Sequence, residues 1–162
     1  MYVILDFYNH APSPSLWILK QLTPSRRKMT HVNIRFGGGV LKEDMCLVVR
    51  PGSVRVHSYE AYTKVSGPPV SSYLLGKIDG ANLHRILDEI LTDFRPSRLR
   101  AWMWYLGLQR RRPDSCVTLV HRLCTASGFL CEAQFRGEMA INCWPSEVEE
   151  SAYEWLTPCF TD

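Results

Sequence analysis

The chain has 162 residues, 46% of them hydrophobic and 22% charged, with a formal net charge of +3 at pH 7. Those values describe one globular domain over 1–162 with a sizeable core, and the small net charge gives no global electrostatic argument for nucleic acid or a membrane surface. No apolar run is long enough to span a bilayer. The segment Met1-Tyr2-Val3-Ile4-Leu5-Asp6 lacks the basic start and long apolar core of a secretion signal. Six cysteines (46, 116, 124, 131, 143 and 159) include no Cys-x-x-Cys pair. That usage suits a reducing, cytoplasmic setting better than a disulfide scaffold.

Residues 1–9 are apolar and aromatic and read as a first strand or tucked arm. Pro12 and Pro14 make a turn, 15–22 has room for one or two helical turns before Pro24, and 25–28 is a basic loop. From Thr30 to Phe36 the pattern alternates: His31, Asn33 and Arg35 take one face, and Val32, Ile34 and Phe36 the other. That is a half-buried strand, broken by Gly37-Gly38-Gly39. Strands over 45–50 and 54–59 are joined by Pro51-Gly52-Ser53, a hairpin signal that places Arg55, His57 and Tyr59 on one face of the second strand.

A Pro/Ser loop over 66–72 precedes a short strand over 73–78, expected at a sheet edge because Gly76 weakens it. Asp79 is the expected cap of a helix over 80–94, in which Leu83, Ile86, Leu87, Ile90 and Leu91 repeat at helical spacing until Pro96 ends it. A second helix is expected over 97–109. A third is expected over 115–127, capped by Asp114 and Ser115 and stopped by Gly128. Two short extended pieces, 129–135 and 139–144, lead to an acidic helix start at 146–150. Strands crowd the first half and helices the second, so the class is α+β, a small antiparallel sheet packed against helices.

The chemistry centres on Asp114-Ser115-Cys116-Val117-Thr118-Leu119-Val120. Cys116 falls in the first helical turn, where unpaired amides and the helix dipole favour an anion and lower a thiol pKa. The plainer reading makes it a small core residue, as most unpaired cysteines are. A cysteine nucleophile needs a base and a group to hold that base. His31, on the polar face of its strand, is the candidate base.

Thr30-His31-Val32-Asn33-Ile34-Arg35-Phe36-Gly37 resembles the histidine strand of the circularly permuted, NlpC-type papain-like hydrolases and acyltransferases, the group of the lecithin:retinol acyltransferase relatives and YiiX-like proteins. The segment around Cys116 is similar to that group's cysteine helix, and the order of histidine strand, hairpin, helical middle and cysteine helix also matches. The resemblance spans 28–127, and its sharp motifs occupy far fewer positions. It implies a permuted papain-like fold and a thioester mechanism on Cys116 with His31 as base. Peptide, isopeptide or lipid acyl substrates would follow, without a cofactor. It also implies a third residue on the next strand, for which His57 is favoured over Glu43.

Two other chemistries compete. Arg95, Arg98, Arg100, Arg110, Arg111 and Arg112 flank Trp102, Trp104 and Tyr105, a basic and aromatic segment able to hold nucleic acid or an acidic protein partner. Such a pattern is more often a solvated helix face, so nucleic acid ranks second. Cys116, His121, Cys124 and Cys131 are close in sequence but lack zinc-site spacing, so no metal is expected.

Overall fold

A computed structural model describes residues 1–10, 17–18, 20–21, 28–38, 41–111, 113–127 and 144–159. Six antiparallel strands form one sheet: β1 (Tyr2–Tyr8), β2 (His31–Gly37), β3 (Met45–Arg50), β4 (Ser53–Ser58), β5 (Ser71–Lys77) and β6 (Thr157–Pro158). Their spatial order is β4-β3-β2-β1-β5-β6. The helices are α1 (Tyr59–Ser66), α2 (Leu83–Leu91), α3 (Arg98–Tyr105), α4 (Cys116–Ala126) and α5 (Pro145–Trp155). The α+β class with an antiparallel sheet is therefore correct.

Residues directly opposite one another on neighbouring strands share a face. The pairs Val3↔Phe36, Leu5↔Ile34 and Phe7↔Val32 put six apolar side chains on one face of the two central strands. Against them pack Ile86 and Ile90 of α2, Val117, Val120 and Leu123 of α4, and Val148 and Ala152 of α5, all buried in one core. Burying a side chain of this size is worth about 1.5–3 kcal/mol, so this face carries most of the stability.

The other face is polar near its centre. Tyr8, Cys46 and Val48 form a second, smaller cluster there with Tyr62 of α1. Beside it Asp6 and Asn33 are paired across β1 and β2, and both are 0% exposed. Arg35 Nε and Nη2 donate to the Asp6 carboxylate at 2.8 and 3.2 Å, and the Ser72 hydroxyl donates to it at 2.6 Å. Arg35 Nη1 also reaches Asp44 at 3.3 Å, and its guanidinium lies 4.2 Å from the centre of the Tyr59 ring.

Several elements differ from the sequence reading. β5 lies inside the sheet, because the two residues of β6 pair with Tyr73 and Leu74 on its outer side. Tyr59 opens helix α1, which the sequence hides because Tyr62 is its only buried residue. Asp79 caps a short 3-10 turn over Gly80–Asn82 by accepting the Ala81 amide, and α2 proper begins at Leu83 and ends at Leu91, before Pro96. The hairpin at Pro51-Gly52-Ser53 is present, with Gly52 at φ 82°, a left-handed conformation that glycine adopts without strain. The predicted pieces 129–135 and 139–143 and the Gly128 stop lie outside the described residues, as do 15, 16, 19 and 22 of the expected helical turns, while the described residues 17–18 and 20–21 are helical. No helix among the described residues is long and apolar enough to cross a membrane.

Candidate active site

Cys116 is the first residue of α4, and the start of that helix is held firmly. Ser115 Oγ accepts the Thr118 amide at 3.3 Å, while Thr118 Oγ1 accepts the Ser115 amide at 2.6 Å, a reciprocal capping box. Ser115 thus fulfils the capping role expected of it, and Asp114 takes another. Its carboxylate accepts the Arg95 amide at 2.7 Å and Arg122 Nη2 at 3.2 Å. Arg122 also donates to the carbonyls of Ile90 and Thr92 at the end of α2, where a cation complements the helix dipole. Arg122 therefore ties the start of α4 to the end of α2, a positioning role the sequence reading did not identify.

The Cys116 thiol meets the sheet at an opening. β2 pairs with β1 along all seven residues but with β3 only over Ile34–Phe36. Amides along a strand alternate between its two neighbours, so Val32 presents its amide to the same edge as Ile34 and Phe36. With no β3 partner there, that amide faces the Cys116 sulfur, as do the amides of Val117 and of Cys116 itself. Burial nonetheless outweighs the three amides and pushes the thiol above its ordinary pKa. At rest the half-buried sulfur is a neutral thiol with a ready-made anion cradle.

His31 adjoins this cradle through the backbone, since its chain neighbour Val32 supplies one of the three amides. Its side chain belongs to the opposite face. It pairs with Tyr8, and the groups that face its ring are His10, Arg50 and Asn33, whereas Cys116 packs against the apolar core. Burial, then the positive charge of His10 and Arg50, pushes the ring's pKa down to about 4, so it is neutral at pH 7. The structure brings Cys116 to the His31 strand but not the His31 ring to the sulfur: the alternation of β2 turns the ring to the opposite face of the sheet, so the expected pair is not in contact.

The third residue is a different matter. Cys46 pairs with both Arg35 and His57, so His57 is level with Arg35 on β4. That is four residues from His31, roughly 14 Å along the strand, and two strands or about 10 Å across. His57 instead packs on the Tyr62 ring at 5.9 Å, and its buried Nε2 has no partner. Glu43 is also remote, its carboxylate accepting the Ser58 hydroxyl at 2.8 Å beyond the far end of β2. Neither residue can orient the His31 ring.

Asn33 is the side chain placed to do so. It shares the face of His31, two residues along, and its amide lies beside the ring and raises the ring's basicity. The geometry falls short of a hydrogen bond, and both Asn33 side-chain atoms are buried without a partner. The alternation of β2 was the available signal, since it puts His31 and Asn33 on one face.

The arginine segment shows no comparable convergence. Arg110 and Arg111 are exposed and Arg112 lies outside the described residues. Among the described residues no group of three or more His, Cys, Asp or Glu side chains is placed to hold a metal ion. No family model, no curated protein and no solved structure matches this chain.

Proposed function

We propose that the protein is a cysteine-dependent hydrolase or acyltransferase that cleaves an amide, isopeptide or ester acyl bond through a thioester on Cys116. The observation that supports this reading is the convergence of three backbone amides on the Cys116 sulfur at the start of a capped helix, where β3 leaves β2. Those amides offset part of the cost that burial places on the thiolate. The amides then stand ready to stabilise the oxyanion that its attack on a carbonyl creates.

In the proposed cycle a neutral His31 takes the thiol proton as the sulfur attacks the acyl carbon. The proton passes to the departing amine or alcohol, leaving a thioester. Water or an amine then attacks the thioester and restores the thiol. Base action requires the His31 ring to reach the sulfur through the opening beside Val32, on whose far side it rests. With a pKa near 4 the ring is neutral at pH 7 but a weak base for a thiol whose own pKa burial raises, so the proton must move as the carbon–sulfur bond forms.

The test is acylation by p-nitrophenyl acetate at pH 7, followed by peptide mass mapping. The acetyl group is expected on the peptide containing Cys116, removable by hydroxylamine and absent in Cys116→Ala. His31→Ala should slow its formation by about 10²-fold or more, the usual contribution of a positioned base. Equal acetylation of Cys159, the other half-buried free thiol among the described residues, would overturn the cysteine reading. A rate indifferent to His31→Ala would remove His31 from it.

A further inference from the structure

Four basic side chains meet at one corner of the sheet, on the face away from the Cys116 thiol. His31 opens β2. The ring of His10, two residues past the end of β1, packs edge-on against Tyr8 at 5.6 Å, and its carbonyl accepts the Thr30 hydroxyl at 2.6 Å. Arg50 ends β3, three residues beyond Leu47, on the same side of the sheet as Cys46 and Val48, and its charge acts on both His31 and His10. Lys20 donates to the Asn9 carbonyl at 2.7 Å and faces His10 together with Arg50. Among the described residues neither Arg50 nor Lys20 forms an ion pair.

Such a cluster, without a paired counter-charge among the described residues, is a concentrated positive field. Both histidines stay neutral partly because of it: burial and then the neighbouring cations push each below its ordinary pKa. Beside His31 lies Asn33, 0% exposed, with neither amide atom partnered. A buried amide left in that state costs on the order of 1–3 kcal/mol, a cost that a bound group can relieve.

We propose that His10, Lys20, His31 and Arg50, backed by the Asn33 amide, form a binding site for a phosphate group. Five donor groups exceed what the two oxygens of a carboxylate can accept, and they suit the oxygens of a phosphate. An incoming dianion supplies the missing counter-charge and lets both imidazoles protonate and donate. This site shares His31 with the proposed thioester chemistry but does not need Cys116, so it stands if the cysteine reading fails.

The test uses the full chain carrying Cys116→Ala, so that acyl chemistry is absent. Imidazole C–H resonances are followed by NMR at pH 6.5 while sodium phosphate is added, against sodium chloride at matched ionic strength. Saturable shifts are expected for His10 and His31, assigned with His10→Gln and His31→Gln, and not for the exposed His84. Arg50→Gln, at an exposed position, should weaken binding about tenfold or more through loss of a charged donor. Shifts that chloride reproduces, or that Arg50→Gln leaves unchanged, would overturn the proposal. Acetate binding as tightly as phosphate would also overturn it. Glycerol 3-phosphate separates the sources: retained binding identifies a phosphate ester, and its loss while inorganic phosphate still binds identifies the free ion, each in support of the site.

Discussion

The buried Asp6–Arg35 pair offers a quantitative test of how the polar face is held. Asp6 is 0% exposed and accepts three hydrogen bonds, two from Arg35 and one from Ser72. Among the described residues, Asp6→Ala leaves the Arg35 side chain, 11% exposed, with Asp44, itself 37% exposed, and the Tyr59 ring. Removing one partner of a buried pair costs about 3–5 kcal/mol, and the contacts that remain place this case near 3 kcal/mol. For a chain of this size that lowers the melting temperature by roughly 6–12 °C. Urea unfolding followed by circular dichroism at pH 7 measures it directly. The double variant Asp6→Leu with Arg35→Met should recover most of the loss, because burial itself already works against the charges: it pushes the Asp6 pKa up despite Arg35 and Ser72. A cost below about 1 kcal/mol for Asp6→Ala would refute the reasoning, since the pair would then behave like an exposed salt bridge.

Two further outcomes are expected. The unfolded chain protonates His31 near its ordinary 6.5 and the folded chain only near 4, so stability falls as pH drops across that interval. His31→Gln should remove part of that slope in urea melts taken between pH 4 and 7, and an unchanged slope would show that the ring is not held neutral by the fold. Ser115→Ala breaks the capping box of α4 and should cost about 1 kcal/mol in the same assay, with faster alkylation of Cys116 as the helix start loosens. A neutral effect on both measurements would mean that Asp114 and Arg122 hold the helix without the cap.

What the sequence disclosed follows the strength of its periodic signals. The alternation around His31 and the three-to-four repeat after Cys116 report burial on one face, and those elements form as read. Helix α1 stayed hidden because its start, Ser58, makes no side-chain cap and one buried tyrosine sets no period. Asp79 misled the start of α2 because the same Asx geometry caps a 3-10 turn as readily as an α-helix. In the candidate site, the helix start with its cap was legible, and so was the approach of Cys116 to the His31 strand. Two expectations failed: the His31 ring, which the alternation of β2 turns away from Cys116, and His57, whose place depends on the β2–β3 and β3–β4 registers, which no local pattern encodes. The opening at Val32 was equally out of reach, since it exists only because β3 stops pairing two residues short.

The position of β1 at the centre of the sheet orders the assembly of the chain in time. β3 and β4 close across a tight turn, and β2 joins them from nearby in sequence, so this half can collapse early. β5 must find β1 over a separation of 66 residues at the Ser72–Asp6 contact, and α5 must reach β5 over 76 at the Glu149–Tyr73 contact. Closures of that length are slow, which places the docking of β5 and α5 late. Until then one edge of β1 is unpaired and the Asp6 carboxylate has water where Ser72 will sit. The desolvation of that charge is therefore borne at the last stage, when the nascent half-sheet is also most able to pair with another copy of itself.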